Sequence, residues 1–394
     1  MPKLHLKPNR DRSVRRFHPW IFSGSMHRLE GTAAPGDVVD VLAADGAFLG
    51  RGFYNPNSQL ICRMLTWQDE PIDTAFFQRK IASAYRLRLD LFGSNTPSVT
   101  NAFRVVNAEG DGLPGLIVDR YAEYLVVQIS TLGMSRFRNE IVAALQQTIQ
   151  PHGLFERSAG AALQEEGLLP VTQVLTGAEP PPLIHIREND LHFAVNVQEG
   201  QKTGFFLDQR ENRAWVARLC QNRKVLNGFG YTGAFSVYAK HAGAQRVVTV
   251  DSSNAAIDLA KQNFVLNSLE AVVENFVAAD IFHYLRSTTQ KFDFIILDPP
   301  AFAHRQKDVK NAARTYKDVN LQAMKIIEPG GLLLTCSCSQ PVSPDLFQKI
   351  LFGAAADAGR VVRILGQSGH APDHPISIYH PEGRYLQAML LHVS

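Results

Sequence analysis

Cysteine is scarce: the 394 residues contain four, at positions 62, 220, 336 and 338, with no Cys-x-x-Cys pair and no regular spacing. That argues against a disulfide scaffold and against a standard zinc site, and it fits a reducing compartment. Long apolar runs are missing too. None approaches the roughly 20 residues that a membrane-spanning helix requires, and the basic N-terminus lacks the apolar stretch of a secretory signal. A soluble, cytoplasmic protein without membrane or metal partners is expected. Net charge is small, +3 overall, and by itself says nothing about nucleic acid. The distribution says more: residues 1–30 hold Lys3, Lys7, Arg10, Arg12, Arg15, Arg16 and Arg28 against Asp11 and Glu30. A local excess of this kind suits phosphate contacts or serves only as a solvated face. Arg15, Arg16 and the neighbouring Trp20 are the candidate nucleic-acid contacts, although Trp20 would serve equally well in a core.

What is present is ample apolar material, 45% of the chain, over a length that predicts two or three domains. Residues 1–70 carry short β-like runs at 38–42, 48–54 and 60–65, with Gly36-Asp37 and Asp45-Gly46 supplying turns, and read as a small β-rich domain. Residues 71–190 read as an α+β module. A helix is expected over 72–92, where Ile72, Phe76, Phe77, Ile81, Ala84, Tyr85 and Leu89 follow a 3.6-residue period. Asn95-Thr96-Pro97-Ser98 should break it. Strands at 103–106, 115–119 and 124–129 and a helix at about 135–150 follow, then a loop-rich stretch to Pro180-Pro181-Pro182. From 191 to 394 strands and helices alternate, with strands at 224–227, 247–250, 274–278, 292–298 and 332–336 and a helix opening at Ser253. That alternation predicts an α/β fold with a parallel, doubly wound sheet. Two further strands, at 361–365 and 385–393, have no helix between them, which predicts an antiparallel pair at one edge.

Strand 224–227 runs into Gly228-Phe229-Gly230-Tyr231-Thr232-Gly233, a Gly-x-Gly-x-x-Gly turn opening a helix. Glycines there let the backbone turn tightly and approach a ligand. Asp251 follows the next strand, where a carboxylate can accept both hydroxyls of a ribose, and Ser252 is beside it. Asp280, after the third strand, is placed to reach an adenine amino group. Asn227, Gly228, Phe229, Gly230, Gly233, Asp251, Ser252, Asp280 and Asp298 are therefore the candidate cofactor residues; a structural turn with capping aspartates is the alternative. The apolar run 292–297 ends in Asp298-Pro299-Pro300-Ala301-Phe302. Prolines remove amide donors and stiffen the turn, which would hold Asp298 at the sheet edge against a planar base. The last inner strand ends in Thr335-Cys336-Ser337-Cys338-Ser339, which brings Cys338 to the edge where open α/β sheets bind ligands. Free cysteine more often acts as a small buried hydrophobe.

Four stretches together, 201–210 (Gln-Lys-Thr-Gly-Phe-Phe-Leu-Asp-Gln-Arg), Asn227 to Gly233, Asp298 to Phe302 and Ser337-Cys338-Ser339, resemble the family of large-subunit (23S-type) ribosomal RNA cytosine-5 methyltransferases over the whole chain. The resemblance implies an N-terminal PUA-like RNA-binding domain, a central α+β domain and a C-terminal Rossmann-like class I methyltransferase domain. It also implies S-adenosyl-L-methionine as cofactor and ribosomal RNA as partner, with a homodimer left open. Cytosine C5 is a poor nucleophile, and such enzymes add a thiolate to C6 to activate it. Cys338, seven residues after Gly331, matches the position of that nucleophile; Cys336 is the weaker candidate. Where many RNA cytosine-5 methyltransferases carry a second cysteine that aids product release, this chain has Pro300, so removal of the C5 proton must rely on another group, with Asp298 and water as candidates and the base itself unassigned. Two other functions stay open: methylation of an exocyclic amino group on guanine or adenine without covalent catalysis, and a noncatalytic RNA-binding factor.

Overall fold

The structure, a computed structural model, describes residues 1–93 and 99–394. The expected helix breaker at 95–98 lies outside the described residues. The chain divides into two units. The first comprises Met1–Arg187, Val195–Leu207 and Pro372–Gly383; the second comprises Glu188–Ala194, Asp208–Ala371 and Arg384–Ser394.

The first unit opens with β1 (Lys3–Leu6), α1 (Arg12–Arg15), β2 (Trp20–Phe22), β3 (Met26–Glu30), β4 (Val38–Leu42), β5 (Phe48–Tyr54) and β6 (Leu60–Thr66). They form one sheet in the order β2-β6-β5-β4-β1-β3, in which β1 and β4 pair in parallel. Its apolar side, including Leu4, Val39, Val41, Ile61 and Met64, makes a separate core. Then α2 (Thr74–Phe92), capped by the Asp73 side chain, leads into β7 (Ala102–Asn107), β8 (Leu116–Tyr121), β9 (Tyr124–Ile129), α3 (Leu132–Arg136), α4 (Arg138–Ile149), β10 (Gly153–Ser158), α5 (Ala161–Glu166) and β11 (Val171–Gly177). The five strands form a second sheet, β11-β10-β9-β8-β7, which shares a core with α2 and α4 around Phe76, Phe77, Val105, Val127 and Leu145. The helix expected over 135–150 is two helices broken at Phe137, and the stretch read as loop contains β10 and β11. Both strands escape pattern reading for physical reasons. In β10 a polar run includes the fully buried Glu156, neutralised by Arg138 at 2.8 Å, and β11 is a mostly exposed edge strand.

The segment Pro372–Gly383 is fastened to this unit by buried polar groups. The Asp373 carboxylate accepts from the Arg104 amide at 2.8 Å, and its carbonyl accepts from Arg88 at 2.9 Å. Arg88 in turn holds Asp111 through two bonds of 2.7 Å. Asn107 donates to the Pro375 carbonyl at 2.9 Å.

After the two-stranded pair β12 (Ile184–Glu188) and β13 (Leu191–Val195), the second unit runs α6 (Arg210–Ala217), β14 (Lys224–Gly228), α7 (Ala234–His241), β15 (Arg246–Asp251), α8 (Asn254–Leu266), β16 (Phe276–Ala278), α9 (Ile281–Ser287), β17 (Phe292–Leu297), α10 (Val309–Ile326), β18 (Ile327–Ser337), α11 (Pro344–Ala358), β19 (Val362–Ser368) and β20 (Gln387–Val393). The sheet order is β16-β15-β14-β17-β18-β20-β19. β14 to β18 are parallel, and β20 lies antiparallel to both β18 and β19, as the absence of a helix between the last two strands predicts. β16 is shorter than expected because 273–275 form a 3-10 turn. The near-continuous apolar strands are explained by burial on both faces. Leu226, Ile295, Leu297 and Leu333 face α9 to α11, and Val225, Phe294, Ile296 and Leu334 face α6 and α7. The strand order reverses between β14 and β17, which makes their C-terminal ends the expected ligand crevice.

Candidate functional site

Gly228 ends β14 in register with Leu297 of β17 and Val250 of β15. The turn that follows places left-handed backbone at Phe229 (φ 59°), Tyr231 (φ 44°) and Gly233 (φ 74°). Its glycines pack against the protein itself. A Cβ at Gly230 would lie 2.6 Å from Thr249, and one at Gly233 would lie 2.7 Å from Ala260 of α8. Two of the three left-handed positions carry Phe and Tyr, and the glycines also allow the turn to press onto β15 and α8. The turn is pinned by Asp251, whose Oδ2 accepts from the Tyr231 amide at 2.8 Å and whose Oδ1 accepts from the Ser253 amide at 3.0 Å. Each carboxylate oxygen keeps a further lone pair, and the residue is half-exposed beside the exposed Ser252. Asn227, 1% exposed, donates to Ser236 at 2.9 Å, while its Oδ1 has no partner among the described residues. A bare acceptor beneath the glycine turn and a ribose-ready carboxylate beside it suit a nucleoside cofactor. Asp280 is exposed and caps α9 by accepting from the His283 amide at 2.9 Å, which commits one oxygen.

Asp298 follows β17 directly and is half-buried. Gln209 donates to its Oδ1 at 2.8 Å, and the Gln209 carbonyl oxygen accepts from Asn212 at 2.5 Å. One residue past the end of β18, and three past its last pairing with β17, the half-buried Cys338 donates through Sγ to the Pro299 carbonyl at 3.3 Å. The thiol and the Asp298 turn are thus in direct contact. Ser339, fully buried, ties the same two loops, accepting from the Ala303 amide at 3.0 Å and bonding the Tyr316 hydroxyl at 2.9 Å. Burial holds that phenol above its ordinary titration range. Phe229, Phe282 and Phe302, all half-buried, bring their rings within 6.1 to 6.4 Å of one another. Cys336 is fully buried, and burial, with the Asp298 charge adding to it, pushes its thiol well above the usual range.

Sequence reasoning missed Gln209, Phe282, Ser339 and Tyr316 as parts of this arrangement. Gln209 and Ser339 stood in conspicuous stretches, whereas Phe282 and Tyr316 are single aromatics on helices with no local signal. The RNA candidates lie in the first unit. Arg15 and Arg16 are exposed, and Arg15 pairs with Asp11 at 2.5 Å. Trp20 is half-buried, spends its indole N–H on Glu109 at 2.8 Å and meets the His380 ring at 4.3 Å, which fits packing better than solvent-facing contact. Among the described residues no cluster of His, Cys, Asp and Glu could hold a metal ion, and no helix is long and apolar enough to cross a membrane.

The four thiols differ enough in environment to be separated chemically. None is in a disulfide. Burial pushes Cys62 and Cys220 up to about 12, so at neutral pH their thiolate population is negligible, as is that of Cys336. Brief iodoacetamide treatment of the native protein is expected to label Cys338 first, read by peptide mass spectrometry. Modification of Cys336 ahead of Cys338 would contradict the arrangement.

Residues 170–375 match the model of an S-adenosylmethionine-dependent methyltransferase family, and residues 4–67 match a PUA-like domain. The chain is 42% identical over 393 residues to the ribosomal RNA large subunit methyltransferase I of Alteromonas mediterranea, covering 99% of this chain and 98% of the relative. It is 42% identical to that of Yersinia pestis, covering 99% of each. A solved structure from Streptococcus mutans, described as a SAM-dependent methyltransferase, superposes over 100% of both chains with a TM-score of 0.84; at 23% identity that likeness is one of fold. A glycine turn at the sheet's switch point, an acid after the second strand and full-length kinship lead to one assignment: the chain belongs to the ribosomal RNA large subunit methyltransferase I family, a PUA-like domain joined to an S-adenosylmethionine-dependent methyltransferase.

Proposed function

We propose that the chain methylates carbon 5 of a cytosine in large-subunit ribosomal RNA, with Cys338 as the covalent nucleophile. One observation carries the reading: of two cysteines at the end of β18, the one bonded to the Pro299 carbonyl beside Asp298 is accessible, and the other is sealed in the core. Asn227, the glycine turn, Asp251, Ser252 and Asp280 are the residues that would hold S-adenosylmethionine, which supplies an electrophilic methyl group when bound. The chain's own work lies at the pyrimidine. The Cys338 thiolate adds to C6, which loads electron density onto C5 so that it can accept the methyl group. The proton on C5 must then leave and the C6–S bond must break. Asp298 is the candidate acceptor, its carboxylate oriented by the Gln209 amide, with water as the alternative. Pro300 offers no thiol for this step. Arg15 and Arg16 are the proposed phosphate contacts.

Mapping 5-methylcytosine in 23S-type ribosomal RNA from a deletion strain and its parent tests the reading. One cytosine is expected to lose its methyl group and to regain it when the wild-type gene is restored. Identical cytosine methylation in the two strains would remove the proposal.

A further inference from the structure

The first unit presents two aromatic rings to solvent. Phe17 is 47% exposed and Tyr379 51%, with ring centroids 5.3 Å apart; Trp67 backs Phe17 edge-on at 5.5 Å, and Ile378, beside Tyr379, is 87% exposed. Exposed apolar side chains that touch one another, rather than standing singly, are the kind of surface that marks an interaction site. Phe17 holds a left-handed backbone, φ 64°, which bulky residues seldom adopt. Its amide closes on the Val14 carbonyl at 2.9 Å and the next amide on Ser13 at 3.0 Å, so the end of α1 fixes the ring where it stands. Tyr379 belongs to Pro372–Gly383, the segment anchored through Asp373 and Pro375. Both rings are therefore held on anchored backbone.

The residues on either side of Phe17 in the chain are mostly basic, with Glu382, bonded to His18 at 3.4 Å, the carboxylate on the Tyr379 segment. Arg12 and Arg16 are exposed and pair with no carboxylate among the described residues; Arg15 pairs with Asp11, and Asp45 is near enough to bias it. Aromatic faces interleaved with arginines are the elements by which single-stranded nucleic acid is bound, bases stacking on rings while phosphates meet cations. A duplex hides its base faces and would use only the charges.

We propose that Phe17 and Tyr379, flanked by Arg12 and Arg16, form a stacking platform for unpaired bases of the RNA substrate. The inference rests on the RNA reading above and replaces Trp20 with Phe17 and Tyr379 as the aromatic contacts. It is tested by fluorescence anisotropy of the full-length protein with a short labelled polyuridine and, in parallel, a labelled RNA duplex. The variant carrying Phe17→Leu and Tyr379→Leu, which keeps apolar volume and loses the rings, should bind polyuridine about ten- to a hundredfold more weakly with an unchanged salt slope. Its duplex binding should hardly move, and Phe17→Trp with Tyr379→Phe should restore the single-strand affinity. Arg12→Ala with Arg16→Ala should weaken both RNAs and flatten the salt dependence. Wild-type polyuridine affinity in the leucine variant, or equal losses on both RNAs, would overturn the platform, and the first outcome would point to a protein partner for the patch. A wild-type protein that methylates no ribosomal RNA would sink the functional reading instead, while the binding comparison would still stand.

Discussion

Cys338→Ala is expected to abolish methyl transfer, by at least about a thousandfold in kcat, and to leave S-adenosylmethionine binding intact. The size follows from the target atom: without a sulfur on C6, C5 of cytosine lacks the electron density to accept a methyl group, and a thousandfold loss corresponds to only about 4 kcal/mol of barrier. Cofactor affinity should hold because the groups assigned to the cofactor, from Asn227 to Asp280, do not include the thiol. The structure should hold as well, since the side chain is half-buried and a thiol is a weak donor to the Pro299 carbonyl. Single-turnover transfer to ribosomal RNA and calorimetric titration of the cofactor separate the two effects. Near-normal turnover would end the covalent scheme and favour methylation of an exocyclic amino group, for which Asp298 and its proline turn require no thiol.

The second large effect is on stability. Glu188 is fully buried and accepts from Arg213 through two bonds of 2.7 Å and from the Tyr238 hydroxyl at 3.1 Å, with the Arg210 guanidinium 3.5 Å away. Both arginines are themselves buried. Glu188→Leu leaves two guanidinium groups next to each other in the interior without their shared anion. Removing one partner of a buried ion pair costs about 3–5 kcal/mol, which for a unit of this size lowers Tm by about 6–20 °C. The loss should shrink when Arg213→Met is added, because one stranded charge is then gone. Thermal unfolding followed by circular dichroism gives both values. A drop under about 1 kcal/mol for Glu188→Leu would show that the cluster is hydrated or already compensated.

The parts of the site legible in the sequence are those written locally. An apolar strand followed by a Gly-x-Gly-x-x-Gly turn, an acid at the end of the next strand, and Asp-Pro-Pro after a third each announce a sheet edge within a few residues, and the structure lines up Gly228, Asp251, Asp298 and Cys338 along one edge. The parts that stayed hidden depend on partners far away in the chain. Gln209 acquires meaning only from Asp298, 89 residues on, and Ser339 only from Tyr316 and Ala303. Glu188 looks like an ordinary loop carboxylate until Arg213 and Tyr238 close over it. The same holds for β10, where Glu156 breaks the apolar pattern because Arg138 makes its burial tolerable. Phe137 splits one expected helix into two without any proline or glycine to signal it.

The path of the chain also sets an order of events. Pro372–Gly383 completes a unit whose other members are all encoded in the first 207 residues. During synthesis, Arg88 and the Arg104 amide must therefore wait for Asp373 until the C-terminal stretch has left the ribosome. A protein cut after residue 207 would lose the Asp373 acceptor of the Arg104 amide and the Tyr379 ring beside Phe17, so its behaviour would understate what the intact first unit can do.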